Sequence, residues 1–140
     1  MRLDEGTALE RFRSARVARL ATVSADGAPH IVPVTFALSV ESGEIVIAVD
    51  HKPKSTTDLR RLRNIEATGR VSILADEYDE DWTRLWWVRI DGAARVLAPG
   101  PACARPIALL AAKYPQYRGN APEGPVIRIE VDSVRGWSYS

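Results

Sequence analysis

The chain has 140 residues, 46% of them apolar and 26% charged, with a formal net charge of +1 at pH 7. That length makes one domain, 1–140, with a single sizeable core. The near-neutral balance gives no overall electrostatic reason to bind nucleic acid or a membrane surface. No apolar run approaches the ~20 residues of a spanning helix, and the opening Met1-Arg-Leu-Asp-Glu-Gly6 lacks the apolar centre of a signal peptide. The expectation is a cytoplasmic protein that does not enter a membrane. Cys103 is the single cysteine, which excludes an internal disulfide, and His30 and His51 stand too far apart in sequence for a metal-ligand cluster.

In chain order, residues 7–16 place Leu9, Phe12 and Arg13 at helical spacing after a possible cap at Thr7, so a short amphipathic helix is expected. The period then changes. Residues 17–23 read as a buried strand, Asp26-Gly27 marks a tight hairpin turn, and 29–38 return as a second strand. Pro33 lies inside that strand, and because proline donates nothing to a ladder it implies an edge or a bulge. Residues 44–50 form a third strand and 70–76 a fourth. After the acidic loop 77–81, residues 82–97 are extended and interrupted at Asp91-Gly92, by either a hairpin turn or a glycine bulge. A helix is expected over 105–114, with Pro106 tolerated in its first turn, followed by loop to Pro125. Residues 126–134 alternate Ile127, Ile129 and Val131 against Arg128, Glu130 and Asp132, the mark of a half-buried strand, with Trp137 at its end.

Six or seven strands at short spacing with two or three short helices indicate a mainly β fold, an antiparallel barrel with helical decoration. Four tryptophans, Trp82, Trp86, Trp87 and Trp137, exceed what so small an interior houses comfortably, and aromatic residues are enriched where chains meet. A homodimer is therefore expected.

The densest charge lies at 50–63, where Lys52, Lys54, Arg60, Arg61 and Arg63 face only Asp50 and Asp58. Ser55, with Asp58 three residues on, suggests the N-cap of a helix whose free N–H groups adjoin the two lysines, a ready anion site. A nucleic-acid reading of this run is disfavoured because the cations span about a dozen residues without interleaved aromatics.

Val17-Ala-Arg-Leu-Ala-Thr-Val23, with Asp26-Gly-Ala-Pro-His-Ile-Val-Pro-Val-Thr-Phe36, resembles the opening hairpin of the pyridoxamine 5′-phosphate oxidase-like, flavin-binding split-barrel superfamily. Residues 52–64 are similar to that family's phosphate-binding strand-to-helix segment, and residues 81–92 look like the actinobacterial branch of deazaflavin enzymes that use coenzyme F420. The resemblance implies a dimeric six- to seven-stranded split barrel with two equivalent sites at the subunit interface. The cofactor ring would lie against Pro33, Val34, Thr35 and Val49, with Trp86 nearby. Lys52, Lys54, Ser55 and Thr56 would hold the phosphate, and the cations Arg60, Arg61 and Arg63 could receive the oligoglutamate tail of F420. FMN is the alternative cofactor, and a non-catalytic cofactor- or haem-binding protein of the same fold the alternative role. Which lysine touches the phosphate stays open, as does any catalytic proton donor; Tyr78, His30 and His51 qualify by type alone. Arg135-Gly-Trp-Ser138 only partly echoes the substrate arginine and histidine of vitamin B6 oxidases. The implied partner is a small organic hydride acceptor instead.

Overall fold

The computed structural model describes residues 1–49 and 59–140. Seven strands, β1 (Ala18–Val23), β2 (Pro29–Val34), β3 (Ala37–Leu38), β4 (Ile45–Ala48), β5 (Arg70–Glu77), β6 (Trp86–Leu97) and β7 (Val126–Ser138), form one sheet in the order β2-β1-β5-β6-β7-β4-β3. Every pairing is antiparallel. β2 and β3 occupy opposite edges of that sheet, yet only Thr35 and Phe36 separate them in the chain. Two residues bridge no more than about 10 Å even when extended, so the sheet must curl until its edges approach. The result is a barrel with a seam at Thr35–Phe36.

Alternation fills the interior. Leu20, Ile73, Ile90 and Ile129 are fully buried in one cluster with Phe12 and Phe36, whose ring centroids lie 4.5 Å apart. Phe12 comes from the helix α1 (Glu5–Ser14), whose apolar edge therefore plugs the barrel. Its cap is Asp4, not Thr7: the Asp4 carboxylate accepts the Thr7 N–H at 2.8 Å, because Asp4 has the extended backbone that an N-cap requires. The hydrogen bonds from Thr7 hold the Asp4 carboxyl below the usual carboxylate range.

The long expected second strand breaks into β2 and β3 at the seam, and Pro33 lies on an edge strand, where its missing N–H is harmless. The interruption at Asp91-Gly92 is a bulge rather than a hairpin turn. Asp91 faces Ser133 and Gly92 faces Val131, leaving Asp132 of β7 as the extra residue. Glycine is required there, since a Cβ on Gly92 would sit 2.3 Å from the Glu130 carbonyl oxygen. β7 continues past the expected 134 to Ser138 because β6 offers partners throughout, so Trp137 pairs with Trp87 within the ladder.

The helix α2 (Arg60–Thr68) packs Leu62 and Ile65 into the core and ends at Gly69 in the left-handed conformation. Its N-cap is Leu59, without a side-chain cap, and not Ser55. Ser55 and Asp58 lie outside the described residues. The helix α3 (Ala104–Lys113) covers a second cluster of Leu110, Cys103, Tyr114 and Val126 on the outer face of β4 and β7. None of the four tryptophans is buried, and Trp82 is 60% exposed. Among the described residues, no helix is long and apolar enough to cross a membrane.

Candidate functional site at the barrel seam

The seam collects the residues expected to face the cofactor ring. Pro33 is exposed on the outer edge of β2 opposite Arg19, and Val34 turns inward opposite Ala18. β3 and β4 pair Ala37 with Val46 and Leu38 with Ile45, a register that leads back toward Val34 and Val49. Both valines belong to one core cluster, and the Val49 N–H is fixed to the Pro125 carbonyl at 3.0 Å.

Two tyrosines hold the turn between the strands. The Tyr117 hydroxyl lies 2.9 Å from the Thr35 hydroxyl. The Tyr114 hydroxyl accepts the Phe36 N–H at 3.2 Å and has one proton to give to the Arg16 carbonyl at 2.9 Å or the Phe36 carbonyl at 3.1 Å. Burial pushes the Tyr114 phenol above its ordinary pKa, so it stays protonated and keeps that donor. Sequence reading passed over both residues, which it placed at a helix end and in a loop. The available signal was chemical: a tyrosine in an apolar stretch still needs a partner for its hydroxyl.

Arg60 opens α2 and is exposed, Arg61 is half-buried, and no acidic residue stands in that first turn. The helix is oriented from below by the buried Asn64, whose amide donates to the Thr22 hydroxyl at 3.0 Å, and by Thr68, whose hydroxyl donates to the Val23 carbonyl at 3.1 Å. Lys52, Lys54, Ser55 and Thr56 lie outside the described residues. The flanks of that segment, Val49 and Leu59, both pack against the barrel core.

Trp86 stands apart. β1 and β5 lie between its strand and β2, a separation of about 14 Å along the sheet. Its indole N–H donates to Glu77 at 3.0 Å, the Arg11 guanidinium lies 5.7 Å from its ring, and both line a cavity of about 660 Å³ with α1. Of the proton-donor candidates, Tyr78 is 71% exposed on a loop, and His30 lies on β2 opposite Thr22. His51 lies outside the described residues. His30 lies five positions before Thr35, about 16 Å along a strand, so neither described candidate meets the seam.

The fold and its seam define the class of flavin-binding split barrels. A family model described as pyridoxamine 5′-phosphate oxidase matches residues 5–138, and the chain belongs to that family. Over 98 residues it is 36% identical to a 5a,11a-dehydrotetracycline/5a,11a-dehydrooxytetracycline reductase of Streptomyces rimosus, covering 68% of this chain and 65% of that enzyme. The chain thus spans about two thirds of its relative's length. Among solved structures, a FAD-binding protein of Mesorhizobium loti superposes with a TM-score of 0.71 at 21% identity, covering 97% of this chain and 95% of that one. HutZ, a haem storage protein of Vibrio cholerae, superposes with a TM-score of 0.70 at 20% identity, covering 99% and 95%. At such identities these two speak for the fold alone.

Proposed function

We propose that this protein is a cytoplasmic, homodimeric oxidoreductase that holds the deazaflavin coenzyme F420 at its seam, in preference to FMN, and transfers hydride to a small organic acceptor. The observation that carries the reading is the 36% identity with a reductase that acts on dehydro compounds. The donor set at the seam fits such a group. β2 is a terminal strand, so its outward N–H and C=O groups are available to the polar edge of a flavin-like ring. Pro33 gives that ring an apolar wall on the outer edge of β2, and Val34 and Val49, whose side chains are turned into the core, back that wall from inside.

Within this reading Thr35 is oriented by Tyr117, and the seam's shape rests on Tyr114. Lys52, Lys54, Ser55 and Thr56 bind the phosphate, while Arg60 and Arg61 receive the carboxylates of the tail. The bound cofactor supplies the hydride. The chain's own contribution is to hold ring and acceptor in contact and exclude water between them. The incompletely buried tryptophans on β6, on β7 and in the turn before β6 support a partner subunit covering that part of the barrel. The alternative reading is a split barrel of the same fold that binds FMN or haem without turnover.

Changing Lys52 and Lys54 together to alanine tests the clamp. Charge-assisted hydrogen bonds contribute ~1.5–3 kcal/mol each, so with non-additivity the double variant should bind F420 about 2–4 kcal/mol more weakly at unchanged melting temperature. Unchanged affinity would move the phosphate elsewhere.

A further inference from the structure

A separate cavity of about 620 Å³ lies between the end of α1, the strand β3 with its following turn, and α3. Four cations line it, Arg13 in the last turn of α1, Arg16 just after it, and Arg105 and Lys113 on α3, against the single carboxylate of Glu41. Helical spacing explains the gathering on α3. Arg105, Leu109, Ala112 and Lys113 fall at i, i+4, i+7 and i+8 and so share one face, with the two cations about 12 Å apart along the axis.

These charges are poorly matched within the chain. Glu10 reaches Arg13 at 3.4 Å, but both side chains are exposed. Arg16 donates to the Lys113 carbonyl at 3.1 Å and lies 4.7 Å from the Tyr114 ring, both neutral partners. Among the described residues, neither Arg105 nor Lys113 forms an ion pair. The Lys113 ammonium is out of contact with solvent, has no hydrogen-bond partner among the described residues, and sits 3.7 Å from the centre of the Phe36 ring. A ring face attracts a cation but accepts none of its three protons in an ordinary hydrogen bond. Burial, and then the nearby Arg16 and Arg13, bring its pKa down to about 8. At pH 7 it therefore remains charged.

We propose that this cavity is a binding site for a small organic oxyanion, a phosphate ester or a carboxylic acid, received by Lys113, Arg16 and Arg105. Guanidinium groups match such oxyanions in two-pronged hydrogen bonds, and the ammonium supplies a third charge on a stem long enough to turn into the cavity. The volume exceeds that of a bare ion. Leu38, Val40 and Leu109 in the walls offer apolar surface to the carbon skeleton that carries the charged group. None of these residues belongs to the proposed cofactor wall, so the site stands or falls independently of the proposed function.

The chain has three lysines, Lys52, Lys54 and Lys113, which makes a residue-resolved test possible. Biosynthetic carbon-13 labelling of lysine leaves the ammonium unmodified, and the Lys113 signal is assigned by its absence in Lys113→Arg. Inorganic phosphate and succinate are titrated separately at constant ionic strength against chloride. The expected result is a saturable shift of the Lys113 resonance with phosphate, with succinate or with both, the pattern identifying the oxyanion. Arg105→Gln and Arg16→Gln should each weaken that binding about tenfold. A Lys113 signal that does not move, moves equally in chloride, or saturates identically in both variants would overturn the proposal, whatever the signals of Lys52 and Lys54 do.

Discussion

All twelve residues of β6 find partners along β7, with a single extra residue at Asp132, whereas the turn joining β2 to β3 depends on two phenol hydroxyls contributed from the far end of the chain. The ladder is maintained by many equivalent backbone bonds and by alternating apolar side chains, so no one contact decides it. The seam has few contacts, each of them individual, and the wall assigned to the cofactor is built on it. Robust scaffold and adjustable site thus occupy different parts of one small barrel.

Three substitutions break or sharpen that contrast, in decreasing order of effect. Gly92→Ala should destabilise most, because its Cβ would overlap the Glu130 carbonyl oxygen, a backbone atom that cannot swing away. A loss of roughly 3 kcal/mol, the upper end for overpacking, should appear in urea unfolding, and a change within error would mean that the bulge adapts freely. Tyr114→Phe removes the acceptor of the buried Phe36 N–H and should cost about 2 kcal/mol, as for other orphaned buried groups. Cofactor affinity should fall with it. Stability lost at undiminished affinity would separate the seam from the site.

Lys113→Met is the mildest of the three, and its effect depends on pH. Folded Lys113 gives up its proton near pH 8, against an ordinary value of 10.5. Between those values the unfolded chain binds more protons than the folded one, so this group makes stability rise with pH across that window. Below pH 8 the buried charge is only a burden. The variant should therefore melt higher than the wild type at pH 7, and its advantage should shrink as pH rises from 8 toward 10.5. A constant difference across pH would show that the ammonium is not perturbed by burial.

The parts of this arrangement that were legible in the sequence are local ones. The Asp26-Gly27 turn, the irregularity at Pro33, which could mean an edge or a bulge, the interruption at Asp91-Gly92, which could mean a hairpin or a bulge, and the inward alternation of Ile127 and Ile129 each follow from residues within a few positions of one another, and the closed sheet decides the two alternatives. The seam was not legible, since Thr35 and Tyr117 stand 82 residues apart and only the closed barrel brings them together. Capping misled for a related reason. Thr7 and Ser55 fit the N-cap by type, but backbone conformation at Asp4 and Leu59 decided where the helices begin. The cavity of four cations escaped notice because its residues come from three regions, none unusually basic alone.

The central claim is that the seam and the basic segment after β4 hold a deazaflavin cofactor. It is tested most directly by titrating the purified protein with F420 and with FMN separately, following quenching of intrinsic tryptophan fluorescence at low and high salt. Exposed charge pairs are screened over about 10 Å at 0.1 M salt, so a tail held by Arg60 and Arg61 should make F420 binding fall steeply with salt. FMN, with a single phosphate, should respond more weakly. The account predicts tighter binding of F420 and the steeper slope for it, lost when Arg60 and Arg61 are changed to glutamate. Tight FMN binding with none for F420, or equal slopes for both, would contradict it.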